Sequence, residues 1–135
     1  MDASQALADL TEISSQIEAA VLFDDAGAIL GSTLADAAAA EELVRAASSL
    51  LAGAGEFRSG DAEVTQLEAS TQDGSVFVVR DGGRGVVATT ASDPTVGLVF
   101  YDLKSCLRGS AEAEPAKPKR RRRAPAKTEE QSDET

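Results

Sequence analysis

The chain has 135 residues, 13 Lys and Arg against 23 Asp and Glu, one Cys, no Trp and no His, for a net charge of −10. That length holds one domain. The missing His removes the commonest general base and transition-metal ligand, and a single Cys excludes an intrachain disulfide and suits a reducing compartment.

The first apolar pattern falls between Ser4 and Glu18, where Leu7, Leu10, Ile13 and Ile17 recur three and four apart. The spacing predicts a helix with one buried face. Ala19–Phe23 then reads as a buried strand, Asp24-Asp25-Ala26-Gly27 as a tight turn, and Ala28–Thr33 as the returning strand of a hairpin. Ser32, Thr33 or Asp36 can cap a second helix that runs to about Ala52 and is rich in alanine, the best helix former. Along it Ala40, Leu43, Ala47 and Leu50 form a narrow seam, widened by Val44 and Leu51, before Gly53-Ala54-Gly55 ends the helix. Small residues in such a seam allow two helix backbones to approach closely.

Three strands are expected next. Glu63–Glu68 mixes Val64 and Leu67 with polar residues, Ser75–Arg80 is a central buried strand, and Val86–Thr90 follows a glycine-rich turn at residues 81–85. Asp93 is placed to cap a last helix with Pro94 at its first position. Val96, Phe100, Leu103 and Leu107 give that helix its apolar face as far as Arg108. The order α-β-β-α-β-β-β-α implies an α+β domain, a five-stranded antiparallel sheet with flanking helices.

From Ala111 onward there is no Leu, Ile, Val or Phe, so residues 109–135 read as a disordered tail and residues 4–108 as the domain. Residues after 110 hold 7 of the 13 cations and 6 of the 23 acids, leaving the domain near −11. A surface of that sign repels nucleic acid and anionic membranes and favours basic or neutral partners. The N-terminus lacks the basic and continuous apolar regions of a signal peptide. No apolar run is long enough to span a bilayer. A cytoplasmic location is expected.

Nothing in the chain points to catalysis. No phosphate-binding P-loop motif occurs, and the glycine clusters at 53–55 and 82–85 complete no dinucleotide fingerprint; turn geometry accounts for them. Asp24 and Asp25 offer too few oxygens for a calcium loop. Cys106 has no imidazole to activate it and reads as a small filler side chain. No cofactor, metal ligand or catalytic residue is assigned, and no enzyme activity is expected.

The hairpin V-L-F-D-D-A-G-A-I-L-G-S-T, the closing helix G-L-V-F-Y-D-L and the element order together resemble the Roadblock/MglB-like family over residues 4–108. The resemblance implies a Roadblock/profilin-like fold. It also implies a homodimer or heterodimer in which the second helix packs on its twin and the third strand pairs across the two-fold. The partner it implies is a small Ras-like GTPase, activated or scaffolded on the composite surface. On that basis Ala40, Leu43, Ala47 and Leu50 would form the helix contact, and Val64 and Leu67 the strand edge. Arg45, Arg58, Arg80 and Arg84 match no catalytic arginine of the family pattern, so any stimulated hydrolysis would come from ordering the GTPase's own switch loops.

In the tail, Lys117, Lys119, Arg120, Arg121, Arg122 and Arg123 form a compact cationic block. It is either a solvated segment that touches acidic surfaces, its own domain included, or a tether to an anionic lipid surface or nucleic acid. Two other functions stay open from sequence: a small-ligand sensor of PAS or profilin-like type, and a nucleic-acid accessory acting through this block.

Overall fold

A computed structural model describes residues 2–57 and 63–113. The elements are α1 (Ala3–Ile13), β1 (Ile17–Asp24), β2 (Ile29–Ser32), α2 (Ala37–Gly55), β3 (Gln66–Ser70), β4 (Ser75–Asp81), β5 (Arg84–Thr90) and α3 (Val96–Ala113). The five strands form one antiparallel sheet in the order β2-β1-β5-β4-β3. The expected α+β class, element order and sheet are all present. Arg58, the cationic block and residues 114–135 of the expected disordered tail lie outside the described residues, whereas residues 109–113, expected in that tail, belong to α3.

Alternation sorts the strand side chains onto two faces. Ile17, Ala20, Leu22, Phe77, Val79, Val86 and Ala88 face α1 and α3, where Leu7, Leu10, Val99, Leu103 and Leu107 close the core. Phe77 and Phe100 meet edge-on there, ring centroids 5.1 Å apart. Val21, Phe23, Val78 and Val87 face the other way, beneath Ala40, Val44, Ala47 and Leu51 of α2. Gly85 is required by this second layer: the ring of Phe23 lies across it, and a Cβ there would come within 2.5 Å of Cζ.

Several boundaries differ from the sequence expectation. The first helix stops at Ile13, not Glu18, because Ser14 turns extended as its N–H closes on the Leu10 carbonyl at 2.9 Å. Ile13 is therefore 70% exposed instead of buried, and Ile17 is buried as the first residue of β1. Asp36 caps α2 by accepting from the Ala38 N–H, whereas Ser32 serves Leu34 and Thr33 serves Ala20. Gly53 does not end α2, which runs to Gly55. β3 begins at Gln66, three residues later than expected, and Val64 precedes it.

Asp93 does not cap α3. Its φ of 59° places it in the left-handed region, which a short acidic side chain tolerates, and the helix starts only at Val96. The Thr95 N–H is met instead by Oε1 of Gln16, and the Thr95 carbonyl accepts from Val99. α3 then continues past Arg108 to Ala113. Val96 is 40% exposed, and Val99 takes the buried place expected for it.

Candidate partner-docking surface

α2 is the only helix on its face of the sheet among the described residues, and it packs on β2, β1 and β5. Two consequences follow for the other half of that face. First, β3 pairs only with β4, so its outer backbone edge is open among the described residues. Second, the register Leu67↔Val78 and Ala69↔Val76 puts Leu67, Ala69 and Val76 on the α2 side, where all three stay half-buried. An unpaired edge beside a partly covered apolar strip is a template for another chain.

The expected helix seam divides. Ala40 and Ala47 are 2% and 0% exposed, consumed by the chain's own sheet, so they offer no surface to a second helix. Leu43 and Leu50 are half-buried and stand on the flank of α2. Val64 and Leu67 are half-buried and pack at the margin of the α2-side core. Four of the six expected interface residues thus remain available, and Val76 and Ala69 join them. Their strand alternation was the signal that could have added them. Phe57, just past α2, is 88% exposed and also went unnoticed; a lone Phe between glycines and charged residues was its only sign.

Arg80 and Arg84 are engaged locally. Arg80 donates from Nη2 to the Val64 carbonyl at 2.8 Å and lies 3.4 Å from the Glu63 carboxylate, which pins the segment leading into β3. Arg84 donates from Nη1 to Ser110 Oγ at 3.1 Å, tying β5 to the end of α3. Both line a hollow of about 280 Å³ that also holds Asp24 and Asp25. Asp24 Oδ1 is used by the turn, accepting from the N–H groups of Ala26 and Ala28. With both signs present in its lining, this hollow favours no ligand charge.

Cys106 is buried between α1 and α3 and points its thiol at the Ala6 carbonyl. Burial, with a smaller push from Asp9, raises the thiol to about 11. At neutral pH it carries almost no thiolate, which suits a packing side chain. No helix among the described residues is long and apolar enough to cross a membrane.

No family model matches the sequence, and no curated protein matches it. Solved structures do match. The chain is similar to the Roadblock/LC7 domain from Streptomyces avermitilis, 17% identical at a TM-score of 0.73 over 84% of this chain and 98% of that one. It is similar to the gliding protein MglB from Thermus thermophilus, 14% identical at a TM-score of 0.68 over 82% and 86% of the two chains. It is also similar to an MglB with a tetrameric arrangement, 18% identical at a TM-score of 0.59 over 80% and 86%. The fold is therefore Roadblock/MglB-like.

Proposed function

We propose that this chain is a non-enzymatic regulator whose two copies pair through α2 and β3 and together seat a small Ras-like GTPase. The observation that carries this reading is the half-covered α2 face ending in an open β3 edge. Pairing β3 with its twin would satisfy the free backbone groups. It would also bring Leu43, Leu50, Leu67 and Val76 of both copies together, and the two α2 helices with them. The reading is supported by the shared fold and by the tetrameric arrangement of one MglB, a case of self-association in a protein of this shape.

The GTPase is inferred from the fold and from the hairpin and closing-helix resemblance. In this reading the protein works in the cytoplasm and supplies surface alone. Arg80 and Arg84 are held by the chain's own groups and are not extended as fingers. Any acceleration of hydrolysis then comes from ordering the GTPase's switch loops against the doubled platform. The test is a pull-down and single-turnover assay with small Ras-like GTPases from the same organism, loaded with GTP or GDP. The expected result is binding that favours one nucleotide state. No binding and no change in hydrolysis in either state would overturn the GTPase assignment, and a monomeric mass at micromolar concentration would overturn the pairing.

A further inference from the structure

On the opposite side of the sheet, α1 and α3 leave a groove of about 330 Å³ between their outer surfaces. Its floor includes Leu10 and Cys106, and its rim carries Ile13 at 70% and Tyr101 at 65% exposure. The charged side chains in its lining are Asp9 and Asp102, both acidic, with the exposed Glu12 nearby on α1. The cations of α3, Lys104 and Arg108, line a different hollow against β3 and β4. The groove is thus an apolar trough with a negative lining.

We propose that the chain's own basic run, Lys117–Arg123, docks in this groove. Three observations select that occupant. The first is charge: a run of six cations within seven residues follows a domain whose net charge is near −11. The second is position. The bond from Gln16 to Thr95 joins the end of α1 to the start of α3, and Cys106 reaches Ala6, so the two helices run antiparallel. α3 therefore ends at Ala113 beside the first turn of α1, at one mouth of the groove.

The third is reach. Only residues 114–116 separate Ala113 from Lys117. Seven extended residues span about 23 Å, enough to follow the 11 residues of α1, a length of about 16 Å. Pro115 and Pro118, which carry no backbone N–H, are residue types that oppose helix, so the sequence of the run suits an extended occupant. In the groove the guanidinium groups pair with Asp9 and Glu12 and stack on Tyr101.

The proposal is independent of the GTPase reading and is tested on the full-length chain. Tyr101 is the only Tyr, and there is no Trp, so its emission and ring signals report on this groove without interference. The Ile13 methyl signals supply a second probe. At about 10 mM NaCl, replacing Arg120–Arg123 together with Glu should shift both probes, and at about 1 M salt the difference should vanish as the screening length falls from ~30 Å to ~3 Å. Asp9→Lys with Glu12→Lys should shift both probes in the same direction in an otherwise native chain. A free peptide carrying residues 114–127 should restore the native signals to the Glu-substituted tail variant.

These tail substitutions leave the folded helices and sheet untouched, so misfolding does not cloud the outcome. Native-like Ile13 and Tyr101 signals in the Glu-substituted tail variant at low salt would overturn the proposal. So would shifts that map to the Asp24–Asp25 turn instead. Shifts that grow with protein concentration would place the run in another copy's groove and overturn docking within one chain.

Discussion

The face of the sheet that carries α1 and α3 and the face that carries α2 are built from the same five strands but covered differently. On the first, Leu7, Leu10, Val99, Leu103 and Leu107 descend from two helices onto Leu22, Phe77 and Val86. On the second, a single helix lined by Ala40, Val44, Ala47 and Leu51 sits over Val21, Phe23 and Val87, and Leu67 and Val76 are left half-covered. Alanines at the contact let α2 lie close to the sheet, and a close-lying helix shades few strands. A five-stranded sheet needs about two helices per face, since a strand occupies about 4.8 Å and a helix about 10 Å. The α2 face is one helix short, and the proposed second copy would supply it.

The sharpest way to separate the two faces is by substitution. Leu103→Ala, on the closed face and fully buried, should cost about 3 kcal/mol in chemical denaturation. A loss below about 1 kcal/mol would show that this layer is less tightly packed than its burial indicates.

The Cys106 thiol gives a smaller effect, readable by pH. Its folded value is raised from 9.0 to about 11 by burial. The unfolded chain therefore releases this proton first, and the stability linked to it is intact below about pH 9 and lost as pH rises toward 11. Thermal melts across that window should fall more steeply for the native chain than for Cys106→Ala. Parallel slopes would mean that water reaches the thiol between α1 and α3.

On the open face the effect on the single chain should be smallest and the effect on assembly largest. Leu67→Lys places a charge on a half-exposed strand position and should change the stability of an isolated chain by no more than about 0.5 kcal/mol. It should nevertheless shift the sedimenting mass from two chains to one. An unchanged dimeric mass would move the interface away from β3.

The strands and their succession along the chain were legible because alternation and turn residues act locally: Asp24 and Gly27 make the first hairpin turn from four adjacent residues. The order of the strands across the sheet was not. What misled were helix ends decided at long range. Pro94 and Asp93 look like a helix start, yet α3 begins at Val96, after a Thr95 N–H that donates to Gln16, 79 positions away in sequence. Ile13 fits a helical face but Ser14 ends the turn before Ile17 can join it. The seam on α2 was readable as a pattern, but periodicity does not say which layer a small residue meets. Ala40 and Ala47 met the chain's own sheet, and only Leu43 and Leu50 were left at the margin.

Because α1 and α3 are antiparallel neighbours, the start of α1 and the end of α3 lie close together, on the face of the sheet opposite α2. A circular permutant can therefore join residue 113 to residue 2 through a short linker and open new ends at the Asp24–Gly27 turn. A fusion joined directly at residue 2 or residue 113 sits on the α1–α3 face of the sheet. It would leave the α2 face clear for any assembly experiment.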